Sequence, residues 1–118
     1  MSDESPLDPQ AIDALRELSP DAGFLRELIE VYLQDTPERM AELEDAINRN
    51  DVQLATRAAH TIKGSSSNFG ATQVTRLSHE IEMQGKSGNL AESPASLSKL
   101  KAEYSRVAEA LAKIAAGS

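Results

Sequence analysis

Apolar residues recur along this chain at intervals of three and four, the spacing that keeps side chains on one face of an α-helix. Leu25, Ile29, Tyr32, Thr36, Met40, Leu43 and Ile47 trace one stripe. Val74, Leu77 and Ile81, extended to Met83, trace a second, and Leu97, Leu100, Tyr104, Val107, Leu111 and Ile114 a third. No segment alternates apolar and polar residues with the period of a strand. Start signals punctuate the stripes. Ser19-Pro20, Thr36-Pro37 and Ser93-Pro94 each read as an N-cap followed by proline at the first helical position, and Asp51 can cap a helix that begins at Val52. The spacing predicts helices over 8–18, 20–35, 37–49, 52–67, 72–84 and 94–116. The second and third become one long helix if Pro37 kinks the chain instead of ending it. The longest connection is 85–93. The expected fold is all-α: an up-down four-helix bundle with a short extra helix at the N-terminus, built as one domain over 1–118 with its core at about 8–116.

Composition narrows the chemistry. Aromatics are 3% of the 118 residues, so Leu, Ile, Val, Ala and Met must fill the core, which suits helix-on-helix packing. There is no cysteine, hence no disulfide framework, thiolate metal site or thiol nucleophile. A net charge of −7 argues against a general nucleic-acid binder, which needs cations to neutralise phosphates. No apolar run approaches the roughly 20 residues that span a bilayer, and the acidic start Met1-Ser-Asp-Glu lacks the apolar stretch of a secretory signal. These features lead us to expect a cytoplasmic protein with no membrane partner. The charge is also unevenly spread. Residues 1–51 hold 14 acids and 4 bases, a net of −10, whereas 52–118 hold 5 acids and 8 bases, a net of +3. That polarity can orient a partner; each acidic stretch taken alone also reads as a solvated face.

The predicted helix 52–67 breaks the usual rules. On a wheel of about 100° per residue, Leu54, Ala55, Ala58, Ile62 and Ser65 cluster on one side, with Phe69 joining them if the turn continues. This core face is made of small residues, so a neighbouring helix can approach closely. The opposite side holds Gln53, Thr56, Arg57, His60, Lys63, Gly64 and Ser67, with His60 at its centre. Gly64 is the anomaly, because glycine inside a helix costs about 1 kcal/mol relative to alanine and the wheel puts it where close packing cannot explain it. One turn past His60, its missing side chain leaves open space over the imidazole. Lys63 supplies a point charge suited to phosphate, and Arg57 a second cation. An exposed imidazole with open space on one side and cations on its flanks suits nucleophilic capture of a phosphoryl group. The alternative is a surface histidine on a helix that ends in a weak Gly-Ser-Ser-Ser stretch.

The run Ala59-His60-Thr61-Ile62-Lys63-Gly64-Ser65-Ser66-Ser67-Asn68-Phe69-Gly70-Ala71 resembles the signature of histidine-containing phosphotransfer (HPt) domains. Their pattern is a histidine, a hydrophobic residue two on, lysine three on, glycine four on, two small residues, and a Gly-Ala or Gly-Leu pair about ten on. The flanks are similar too. A long striped helix with a mid-helix proline precedes the motif, and Ile81-Glu82 follows where the family often has Leu-Glu. The likeness spans roughly 8–114. It implies that His60 takes a phosphoryl group through Nε2 from a receiver domain's phospho-aspartate and passes it to another receiver. The two receivers then belong to a hybrid sensor kinase and a response regulator. It implies that Lys63 is the family's lysine and Gly64 its space-making glycine, that Mg²⁺ sits on the receiver, and that this chain needs no cofactor or bound metal. It also implies docking of receivers around the histidine, here through Gln53, Thr56, Arg57 and Ser67 with exposed parts of the preceding helices. The apolar set Phe24, Leu25, Leu28, Ile29, Val31, Tyr32 and Leu33 is too broad for one buried stripe. Part of it can pack on Ile12, Leu15 and Leu18, and part can form a docking patch.

Other motifs carry less. Ser78-His79-Glu80-Ile81 resembles the start of a sensor-kinase H-box, but Glu82-Met83-Gln84 lacks the base, Thr/Asn and Pro that should follow, so His79 reads as a polar helix position. The same stretch fails as a zincin because Met83 stands where the second histidine should be. Arg57 and Arg76, three before the two histidines, exclude the Glu-x-x-His pairs of a di-iron bundle. Gly85-Lys-Ser-Gly88 lacks the Walker spacing. Ser65–Ser67 read as packing and helix-end residues. Two classes follow: a phosphocarrier without ATP chemistry of its own, or a non-catalytic helical adaptor that binds receivers without transfer. The intact His60, Lys63 and Gly64 favour the first, since an adaptor gains nothing from Gly64. The narrow last stripe favours a monomer, and Met1 with a compact C-terminal end favours a free-standing protein.

Overall fold

A computed structural model describes residues 5–18 and 21–117. Its described residues form five helices and no strand: α1 (Pro9–Glu17), α2 (Ala22–Asn48), α3 (Val52–Ser67), α4 (Thr72–Lys86) and α5 (Ser93–Ala116). Each of α2 to α5 packs on its neighbours in sequence, and α5 closes back on α2. The result is an up-down four-helix bundle with α1 as a short addition. The seven residues of the first stripe, Leu25 through Ile47, are all buried, as are Val74, Leu77 and Ile81. On α5, Leu97, Leu100, Val107 and Leu111 are buried while Tyr104 and Ile114 pack half-buried against the core. Lys101 Nζ meets Glu44 Oε1 at 2.7 Å across the α2–α5 seam.

Several boundaries differ from the spacing's expectation, each for a local reason. The predicted helices 20–35 and 37–49 are one helix that runs through Pro37. Thr36 is no N-cap: it is 1% exposed in the middle of the stripe. Ser19 and Pro20 lie outside the described residues, and Asp21 caps α2, its Oδ1 accepting the Gly23 N–H at 2.9 Å. Asp51 caps α3 as expected, accepting from Leu54 N–H. Ser93 is the first residue of α5 instead of its cap, and its hydroxyl donates to Gln84 Oε1 on α4. α4 continues through Gly85 to Lys86, two residues beyond the predicted end. Gly85 looks like a helix terminator in sequence, yet here it serves a close approach. A Cβ built on it would lie 2.0 Å from Thr56 Oγ1 on α3.

Met83 does not belong to the core stripe; it is 49% exposed. From Val74, Leu77 and Ile81 the 3.6-residue period leads next to Gln84 and Gly85, so Met83 falls off the buried face. Of the broad apolar set on α2, Leu25, Ile29 and Tyr32 are buried, Leu28 and Leu33 pack half-buried on the core, and Phe24 is half-buried. Val31 alone of the set is exposed, at 65%. On α1, Ile12 is buried and Leu15 packs beside it, but Leu18 is 70% exposed and does not pack as expected. α1 is seated on the turn between α3 and α4. Asp8 N–H donates to Gly70 O at 2.9 Å, and Gly70, at φ +66°, is where a Cβ would strike Asp8 and Ala11. Among the described residues no helix is long and apolar enough to cross a membrane.

Candidate functional site

The bundle presents His60 from the middle of α3, on the side that faces α4. Ala55, Ala58, Ala59, Ile62 and Ser66 form the buried face of α3. The wheel placed Ser65 there and left out Ala59 and Ser66. The structure buries Ser66 because its hydroxyl reaches Tyr32 Oη at 2.7 Å across the core; Ser65 and Leu54 are half-buried. The opposite face is as the wheel drew it. Gln53, Arg57, His60, Gly64 and Ser67 are exposed, with Thr56 and Lys63 half-buried. The His60 side chain is 65% exposed. Nothing lies within 4 Å of a Cβ built on Gly64, so the space beside the ring is open.

The residue that organises this surface is Glu82 of α4, whose side chain is 3% exposed. Its Oε2 is 2.9 Å from His60 Nδ1, and its Oε1 is 2.7 Å from Lys63 Nζ. Lys86 Nζ stands 3.5 Å from Oε2, and His79 Nδ1 stands 3.8 Å from Oε1. One carboxylate thus faces two nitrogens of α3 and two of α4. Burial by itself pushes the Glu82 carboxyl up, but the hydrogen bonds and charges of Lys63 and His60 outweigh it and hold the group at about 2, against an ordinary 4.5. An ionised carboxylate can only accept. The proton of the contact therefore sits on His60 Nδ1, and in the neutral tautomer this fixes, Nε2 is the ring nitrogen that carries the lone pair.

This depressed value has a consequence for folding. The folded state favours the charged form, so the stability it adds is present above pH 4.5 and is lost as pH falls through about 2. Urea unfolding followed across that window is expected to show a steeper loss for the wild type than for Glu82→Gln. Equal slopes would mean that the carboxylate is not held ionised by its neighbours.

The structure sorts the remaining candidates into two shallow depressions along the α3–α4 seam. Gln53, Thr56 and Arg57 line one together with His60, Glu82, Gly85 and Lys86. Ser67 lines the other with Lys63, Arg76 and His79. Thr56 is engaged within its own helix, its hydroxyl donating to Val52 O, and Ser67 likewise donates to Gly64 O. Sequence reasoning gave Glu82 no role and set His79 aside, although both meet at the carboxylate. Lys86 was missed because it was placed in a loop.

The same architecture occurs in known proteins. The model of the Hpt domain family matches residues 27–110. A phosphorelay intermediate protein of Dictyostelium discoideum, rdeA, is 32% identical over 84 residues, which cover 71% of this chain and 33% of that protein. The chain thus spans about a third of the length of this curated relative. The crystal structure of histidine-containing phosphotransfer protein B from Pseudomonas aeruginosa is similar with a TM-score of 0.90 at 26% identity, over 99% of both chains. The HPT domain of an Hpt sensor hybrid histidine kinase from Shewanella shares the fold, with a TM-score of 0.80 at 20% identity over 97% of each chain. The family match covers most of the bundle and includes His60, Lys63, Gly64 and Glu82: the chain belongs to the Hpt domain family.

Proposed function

We propose that this chain is a phosphocarrier that moves a phosphoryl group between receiver-domain aspartates of a hybrid sensor kinase and a response regulator, with His60 as its carrier and no kinase activity of its own. The observation that carries the reading is the His60 Nδ1–Glu82 contact at 2.9 Å on an exposed ring: with Nδ1 as the donor, the neutral imidazole carries its lone pair on Nε2. In the transfer the Nε2 lone pair forms a bond to phosphorus, and the phosphorus–oxygen bond to the donor's aspartate breaks. The electron pair leaves with that carboxylate. Positive charge develops on the ring as the new bond forms, and the Glu82 carboxylate, bonded at Nδ1–H, offsets it. The reverse sequence delivers the group to the acceptor. Mg²⁺ belongs to the receiver in this scheme.

Lys63 and Gly64 serve the same step. The Lys63 ammonium is ion-paired with Glu82 at 2.7 Å, and its three N–H groups leave donors for the phosphoryl oxygens. Gly64 keeps the approach to the ring clear. Gln53, Arg57 and Ser67 are contact residues for the incoming receiver, with the wall of Thr56 beside them.

Incubation with a panel of radiolabelled phospho-receiver domains is expected to label the wild type with an acid-labile, base-stable phosphate, as a phosphoramidate should be. Gly64→Val is expected to slow that labelling by roughly a hundredfold through misplacement of the phosphoryl group. Its melting temperature should not fall, because a glycine inside the helix is replaced at an open position. Receivers that bind the wild type but never label it would replace the carrier by an adaptor. Full activity in Gly64→Val would remove the steric role of Gly64.

A further inference from the structure

α4 carries an outward stripe that borders the phosphoryl site. Arg76, His79, Met83 and Lys86 recur at three- and four-residue spacing and all are exposed. Met83 is one of three large apolar side chains that stand out as exposed among the described residues; the other two are Leu18, which caps the C-terminal end of α1, and Val31 on α2. A thioether on an unbranched stem adapts to whatever surface it meets. Around it stand an imidazole and two cationic side chains, Arg76 and Lys86, which are ion-paired with Glu80 and Glu82 of the same helix. His79 and Lys86 also face the Glu82 carboxylate that holds His60, so the stripe is continuous with the phosphoryl site. Arg57 and Lys63 extend the cationic rim onto α3. The acids of this part of α4 are engaged: Glu80 faces Arg76 at 3.6 Å and accepts from Ser96, and Glu82 is buried.

We infer that the α4 stripe centred on Met83 anchors a receiver domain whose contact surface is an apolar patch rimmed by carboxylates. The inference rests on the relay reading and names the ground on which that partner stands. Charge complementarity selects this occupant. The half of the chain that holds α3 and α4 carries a net of +3, whereas residues 1–51 carry −10, so a carboxylate-rimmed partner is drawn to the α3–α4 side and repelled from α2. Met83 then plays the part of an apolar anchor that partner side chains close over, while Arg76 and Lys86 set orientation.

The test is transfer from the same panel of phospho-receivers, with receiver concentration varied, on the wild type, Met83→Asp and Met83→Leu. Met83→Asp places a carboxylate at the anchor and is expected to raise KM for the receiver about tenfold or more, with kcat kept. Met83→Leu is expected to return KM to near the wild-type value. Met83 is exposed, so the melting temperature should not separate the variants. An unchanged KM in Met83→Asp on a wild type that does take label would overturn the stripe alone. A wild type that takes no label from any receiver would overturn the relay reading and the stripe with it. A wild-type dimer in sedimentation that Met83→Asp dissociates would assign the stripe to a second copy of this chain, and would also overturn it.

Discussion

His60→Gln is expected to abolish labelling by phospho-receivers, a loss of roughly a thousandfold or more, since nothing replaces a deleted nucleophile. The variant should nevertheless fold. His60 is 65% exposed, so the core loses no packing. Glu82 keeps Lys63 at 2.7 Å and Lys86 at 3.5 Å, so the buried carboxylate is not left without a counter-charge. The measurement is radiolabel transfer set beside a thermal melt of the same preparation. Loss of label with a preserved melt places the phosphoryl group on His60. Label retained on the variant would move it elsewhere, with His79 the first position to examine, because its Nδ1 also faces Glu82.

Gly85→Ala is expected to damage the fold itself. Gly64 and Gly85 both lie near His60, yet they answer different needs. Around Gly64 there is open space; at Gly85 a Cβ would meet Thr56 Oγ1 at 2.0 Å, Cβ at 3.1 Å and the backbone Cα at 3.3 Å. The hydroxyl is not free to swing away without breaking its bond to Val52 O at 2.7 Å. Helices α3 and α4 must therefore part along the seam where Glu82 meets His60 and Lys63. Overpacking of this kind costs about 1–3 kcal/mol, occasionally more, or very roughly 10 °C in melting temperature for a domain of this size. Thr56→Ala in the same chain should recover part of the loss, since it removes Oγ1 and leaves the Cβ contact. A melt unchanged in Gly85→Ala would show that the helices do not need this approach.

The fold was legible from spacing because a bundle of this kind is written in one period. Stripes on α2 and α5 and the start at Asp51 could be read directly. The misreadings arose where a residue served a distant partner. Thr36 and Ser93 look like caps because their local signals, a hydroxyl before a proline, are those of caps; only the assembled core shows that they are buried. Gly85 looks like an end because the residue it accommodates, Thr56, is 29 positions away. At the site, His60, Lys63 and Gly64 announced themselves by their spacing within one helix. Glu82 did not, since its meaning depends on the pairing of α3 with α4. A signal was available: a wheel of α4 puts Ser78, Glu82 and Gly85 on the buried side, two small residues around an acid. A lone acid on such a face needs cations opposite it.

The side on which Glu82 grips His60 has a further consequence. The imidazole is held at Nδ1 and opens to solvent on one side, so donor and acceptor must take turns on the same ground. On the relay reading the chain is then never a scaffold that brings two receivers together. Between encounters the group rests on the ring, and the signal delivered depends on how long a phosphorylated imidazole survives in water as well as on how fast it is made.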